Sequence, residues 1–325
     1  MKPTPHIDFK VVLGMILLLV IPAALTLRTV IRPGQLVISS PNPSPYGYTW
    51  SLLIFILPVA AIAWWFAHHP EYKVERRAFW LTIIAFTAAG TALDVLLGKT
   101  FFSFPNSGAV IGIYLPGYDF KHGWGLDIPL EEFLFYFLGS LFMLLVYVWG
   151  DLYWVAAYNV DDYDEASKHI DKIVHPHWRS VIWGVVIIIA GVIFKKFWPH
   201  PYQAGFPGYF SVLVVGFITP TFVFFNTAKP FVNWRAYSLT LYSLVSVSLL
   251  WEATLGVPYG WWVYHPEQML GIFIGAWSNL PAEAVLLWLV AGWGVVLLYE
   301  VIRIYLHMDR TPRDAFFGVS TQRTR

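Results

Sequence analysis

Cysteine is absent from this chain and charge is scarce. Without thiols there are no disulfides, no thiolate nucleophile and no cysteine-ligated metal. Only 13% of the 325 residues are charged, about half the ~25% of an average soluble domain, and the formal net charge is +1. No run of Lys and Arg is dense enough to neutralise a phosphate backbone, which excludes nucleic acid as a partner. Also missing are a Gly-x-Gly-x-x-Gly fingerprint for a dinucleotide, a metal-ligand spacing repeated in both halves, and a mid-span lysine to form a retinal Schiff base. Neither a cofactor nor a metal is expected.

What fills the chain instead is apolar: 57% of residues are hydrophobic and 18% aromatic. Stretches of bilayer-crossing length occur near 9–31, 50–67, 78–97, 129–150, 180–198, 207–227, 236–255 and 281–305. The first, from about Phe9 to Ile31, is longer than a signal-peptide core and lacks a small-residue cleavage site, so it is expected to remain in the protein. The expected fold is therefore all-α, a polytopic membrane protein of about eight transmembrane helices. Assigning the connections to alternate sides puts fifteen of the 21 Lys and Arg with the two termini. By the positive-inside rule both termini are then cytoplasmic, in the cell membrane, and the loops 98–128 and 256–280 face outward.

One pattern occurs twice. Ala-Leu-Asp94-Val-Leu-Leu-Gly98, a loop and Asp127-Ile-Pro129-Leu-Glu131-Glu132 are matched by Leu-Trp-Glu252-Ala-Thr-Leu-Gly256, a loop and Asn279-Leu-Pro281-Ala-Glu283. Pro58 and Pro220 interrupt matching spans as well. A four-helix duplication fits these matches. Because four is even, both copies enter the membrane in the same direction, giving parallel repeats with their acidic loops on one face. The chain divides into a first repeat over 1–150, a polar linker over 151–179, a second repeat over 180–310 and a cytoplasmic tail over 311–325.

Carboxylates among apolar spans are costly to bury and point to chemistry or transport. Pro129 and Pro281 suit the first turn of a helix, with Asp127 and Asn279 as capping residue types, which puts Glu131 and Glu283 early in their helices. There the helix dipole favours an ionised carboxylate by ~0.3–1 kcal/mol, whereas exclusion of water favours the neutral acid more strongly. Glu132 adjoins Glu131 at about 100° around the helix, so at least one of the two is expected to hold a proton and serve as a general acid. Asp94 and Glu252 bring a second acidic position to the same depth in each repeat. The outward loops are rich in aromatics, and Trp124, Tyr114, Trp261, Trp262 and Trp277, with Pro129 and Pro281, are the candidate substrate contacts. Ring faces of this kind stabilise a developing cation on a flat conjugated hydrocarbon by ~2 kcal/mol or more when desolvated.

At these residues the chain resembles the lycopene cyclase family of the heterodimeric or fused integral-membrane type, from carotenoid biosynthesis. Pro129-Leu130-Glu131-Glu132 after an aromatic, Gly-rich loop is the most specific likeness; the second half departs from it at Ala284, where the motif has a second Glu. The resemblance implies a non-redox, intramolecular cyclisation in the bilayer, in which the ψ-ends of lycopene become β-ionone rings. Glu131 and Glu132 are then candidate acid and base, and Glu283 their counterpart; Asp94 and Glu252 are added from the repeat alone. The implied partners are the carotenoid and the lipid bilayer, and contact with other carotenoid-pathway enzymes is compatible with this reading. Either each repeat cyclises one end of the substrate, or the first half holds the acid pair and the second shapes the pocket, and Ala284 favours the latter. Two rival readings are a membrane prenyltransferase, for which the acidic run Asn159–Glu165 resembles a Mg-diphosphate motif, and a proton-coupled transporter with helices broken at Pro58 and Pro220.

Overall fold

A computed structural model describes residues 42, 44–71, 73–120, 122–160, 162–275 and 277–318, with Leu13 and Leu17. Apart from those two leucines, the expected first span lies outside the described residues. The helices are α1 (Gly47–His68), α2 (Arg76–Phe101), α3 (Leu130–Trp149), α4 (Tyr163–Lys168), α5 (Trp178–Phe197), α6 (Gly208–Ala228), α7 (Trp234–Trp251), α8 (Ala282–His307) and α9 (Pro312–Phe317). Seven of them, all but α4 and α9, are long and apolar enough to cross a membrane. They coincide with the second to eighth expected spans, and the protein is an all-α polytopic membrane protein. Pro58 and Pro220 lie inside α1 and α6 without ending either helix, as membrane helices allow when neighbours satisfy the freed backbone groups.

Burial identifies the centre of the bundle. Of their most apolar stretches, 56% and 50% of residues are buried in the spans headed by α3 and α8, against 22% in α1, α2, α5 and α6. α3 packs against α1, α2, α7 and α8, and α8 also packs against α2, α6 and α7. The two helices that carry the Pro-x-Glu motifs are thus the two around which the others assemble.

Both aromatic-rich loops fold back on these central helices. In the first, β2 (Tyr114–Asp119) and β3 (Gly123–Pro129) form an antiparallel hairpin with Tyr114 opposite Pro129. In the second, the shorter β5 (Phe273–Ile274) and β6 (Leu280–Pro281) set Phe273 opposite Pro281. Between the loops, β1 (Phe102–Ser103) pairs with β4 (Val263–Tyr264), joining the two halves by backbone hydrogen bonds. The expected capping roles are not found. Pro129 and Pro281 themselves occupy the N-cap positions; Asp127 lies on β3 and pairs with Lys99, and Asn279 is a turn residue at φ 59°, a conformation asparagine tolerates.

At the opposite end a second polar cluster locks the bundle. The Arg303 guanidinium of α8 meets Glu75 at 3.1 Å, Asp151 at 3.4 Å and Glu300 at 3.4 Å. Asn233, before α7, donates to Asp151 at 3.0 Å, while Tyr147 and Tyr163 donate to Glu300 at 2.7 and 2.6 Å. Asp151, expected to open a solvated linker, is only 1% exposed, because α3 runs on as a π-helical turn over Gly150–Trp154 that carries it inward. Further along, the acidic run is engaged locally: Asp162 caps α4 by accepting from the Glu165 amide, Asp164 meets His307 and Glu165 meets Lys168.

Candidate active site

Beneath the β1–β4 pairing lies a cavity of about 130 Å³ lined by residues of both halves. Three carboxylates face it: Asp94 from α2, Glu132 from α3 and Glu252 from the end of α7. The rest of its lining is aromatic and aliphatic, including Tyr48, Phe102, Phe135, Tyr136, Tyr209, Trp262 and Tyr264. All three acids are nearly inaccessible, at 3%, 9% and 2% exposure.

Their hydrogen bonding differs. Glu132 accepts from the Tyr48 hydroxyl at 2.7 Å. Glu252 is held at both oxygens, by Trp288 Nε1 at 2.6 Å and by the Tyr264 hydroxyl at 2.6 Å. Burial first, and Glu252 beside it, push the Tyr264 phenol well above its ordinary value, so it remains a donor. Asp94 Oδ2 is buried with no hydrogen-bond partner among the described residues, and Asp94 and the Tyr136 phenol lie close enough to interact. Asp94 and Glu252 face the same cavity as Glu132.

The motif glycines have steric reasons. A Cβ at Gly98 would collide with the Asp94 carboxylate one turn back, and a Cβ at Gly256 would collide with the Trp262 ring. Glu252 itself begins a π-helical turn, Glu252–Gly256, a distortion that re-aims side chains and recurs at functional sites.

Glu131 and Glu283 do not line the cavity. Each clamps a loop to the start of its helix. The Leu130 amide donates to Ile113 O at 2.9 Å while Glu131 Oε1 accepts from the Ile111 amide at 2.9 Å and from Thr49. In the second half the Ala282 amide donates to Ile272 O at 2.9 Å, and Glu283 accepts from the Leu270 amide. Pro129 and Pro281 are buried at these clamps. Trp261 stacks on Tyr48 at 5.6 Å, one layer behind the cavity. Trp124, 63% exposed on β3, packs on Tyr118, and Tyr114 and Trp277 are half-buried in their loops. Of the aromatic candidates, Trp262 alone faces the cavity.

Tyr48, Tyr136 and Tyr209 escape the sequence reading, and Tyr264, legible as one of the loop aromatics, is not among its candidate contacts. For two of them a signal exists: Gly47-Tyr48 and Gly208-Tyr209 open α1 and α6 alike. Trp288→Phe, which removes one of the two donors to Glu252, is expected to cost about 1.5–3 kcal/mol, the worth of a hydrogen bond to a charged group. Thermal denaturation in detergent measures it, and an unchanged midpoint would remove this bond from the account of the site.

Fold and site together define a multi-pass membrane protein with a buried, carboxylate-lined apolar cavity. Comparison of the chain with protein-family models, with curated proteins and with solved structures finds no match.

Proposed function

We propose that the protein is a lycopene cyclase, acting by acid–base chemistry on the ψ-end of an acyclic carotenoid within the cell membrane. The observation that carries this reading is an aromatic, largely apolar cavity onto which three carboxylates from both halves converge. Asp94 and Glu132 act as a pair sharing a proton, since a second negative charge beside the first is costly in the resting site, and the substrate cation offsets that charge once the proton has been delivered. The pair delivers a proton to the terminal double bond of the ψ-end. The next double bond attacks the resulting cation, closing the ring, and loss of a ring proton back to the pair leaves the new double bond. One proton enters and one leaves, so no oxidant or reductant is needed. Glu252, fixed by two donors, is the standing negative charge beside the cation, and the rings of Trp262 and Tyr209 supply further stabilisation. The Lys and Arg count supports a cytoplasmic side for the Arg303 end and both termini.

Expression in a lycopene-accumulating host with pigment analysis tests the assignment. Cyclic carotenoids are expected, and unchanged lycopene with the protein intact in the membrane would end it. The carboxylate cavity is lined from both halves, and on this reading it forms one ring per binding event. In a time course a monocyclic carotenoid is expected to appear free before any bicyclic product, and to be diluted by added unlabelled monocycle. Bicyclic product formed without such exchange would require a second site.

A further inference from the structure

A second cavity, of about 50 Å³, lies behind the first. Phe135 lines both. Its ring stacks on Trp251 at 5.6 Å and 18° and meets Trp288 edge-on at 5.2 Å, so Phe135 is the ring shared by the two spaces and the two tryptophans pack it from the side of the second. Beyond Phe135 the lining comes from α1, α3, α7 and α8 and is apolar. Its two hydroxyls are turned away from the space: Ser51 donates to Tyr48 O at 2.8 Å and Ser248 to Leu244 O at 2.6 Å, each on its own helix. Phe55, 36% exposed, contacts Phe142 at the rim of this cavity.

We propose that the second cavity is a slot for the conjugated hydrocarbon chain trailing from the end-group in the carboxylate cavity, with Phe135 the ring that yields to let the chain pass. The inference rests on the cyclase reading for its substrate. Its physical basis is adjacency to the acid site across the Phe135 ring, the lack of any free polar group in the lining, and aromatic faces that stack on a polyene. A rigid chain many times longer than the first cavity has to leave it. The slot is the apolar space that shares the Phe135 ring with it.

Two substitutions fill the slot without touching the acids. A Cβ at Gly139 makes ordinary contact, at 3.8 Å, with the Met143 methyl and the Trp288 ring, so Gly139→Leu enters the slot from α3 without a backbone clash; Val247→Phe enters from α7. The full-length protein in lipid nanodiscs is assayed with two ψ-ended polyenes, one of full C40 length and one cut short beyond the cyclising end. Both variants are expected to lower kcat/KM for the long substrate at least tenfold, with the short one turned over within twofold of wild type. Equal losses on both substrates, or none on either, would overturn the slot. A wild type that cyclises neither substrate would overturn the cyclase reading instead. The slot is then judged by binding: a linear fluorescent polyenoic acid is expected to quench tryptophan emission in the wild type and not in the two variants, and quenching that is absent, or unchanged by both substitutions, refutes it.

Discussion

Glu132→Gln is expected to lower cyclisation about 10³-fold, within the range by which a positioned acid–base group accelerates a reaction, with the membrane level of the protein unchanged. The amide keeps the acceptor that Tyr48 reaches at 2.7 Å but neither delivers nor receives the proton. Asp94→Asn is expected to fall as far, because the two acids act as one unit and the loss of either removes the shared proton; the double variant then loses little more than each single one. Glu131→Gln tests the same geometry from the other side. Its neighbour's carboxylate faces the cavity, whereas Glu131 accepts from a loop amide, a role that Gln fills with its own carbonyl oxygen. Glu283→Gln occupies the matching clamp. These two variants are expected to resemble each other, with losses of tenfold or less and a lowered thermal midpoint. Pigment ratios and purified turnover across the four single variants decide. A Glu131→Gln enzyme as dead as Glu132→Gln would move the chemistry to the clamp.

The asymmetry at Ala284 gains a physical meaning from this arrangement. Ala284 is fully buried at the position where a second-half counterpart of Glu132 would stand, and the first half's acid lines a cavity shared with Glu252. A second complete acid pair would crowd a fourth carboxylate into the same apolar region. One site assembled from unequal halves avoids that cost.

Spans, the repeated acidic motif and its aromatic loops are legible in the chain because each follows from composition or spacing within a few residues. The direction of a side chain is not. Glu131 and Glu132 are adjacent in sequence and separated by about 100° on the helix, yet one enters the cavity and the other a loop clamp. Nothing local distinguishes them; the difference is made by Tyr48, 84 residues away, and by the Ile111 amide. The π-helical turns that carry Asp151 and Glu252 inward are equally silent in an apolar pattern of helical period. Arg303 shows the limit of reading charge by position. Counted among the positive residues of the expected cytoplasmic side, it is instead buried, and its acidic partners Glu75, Asp151 and Glu300 are scattered over the chain.

Arg303→Ala is accordingly expected to cost about 3–5 kcal/mol of stability, the usual result of breaking a buried ion pair from one side. Arg303 is 5% exposed, and its guanidinium lies 3.8 Å from the Tyr163 ring centre and is shared by three carboxylates. Its removal leaves Asp151 and Glu300 buried without a cation, and Tyr147, Tyr163 and Asn233 donating to charges that no longer have a counterweight. Arg303→Lys keeps the charge but lacks the planar fork that reaches several acceptors at once, and is expected to recover part of the loss. Adding Glu300→Gln to Arg303→Ala removes one of the stranded charges and is expected to be more stable than Arg303→Ala alone. The rescue separates electrostatics from packing, since truncation of the arginine stem is common to both. The same α8 carries Trp288, the donor to Glu252, so a loosened Arg303 end is also expected to weaken the site at the far end of the helix. Unfolding in detergent supplies the stability order, wild type above Lys, Lys above Ala, with the double variant above Ala. An Arg303→Ala protein as stable as wild type would show that the cluster does not hold the bundle together.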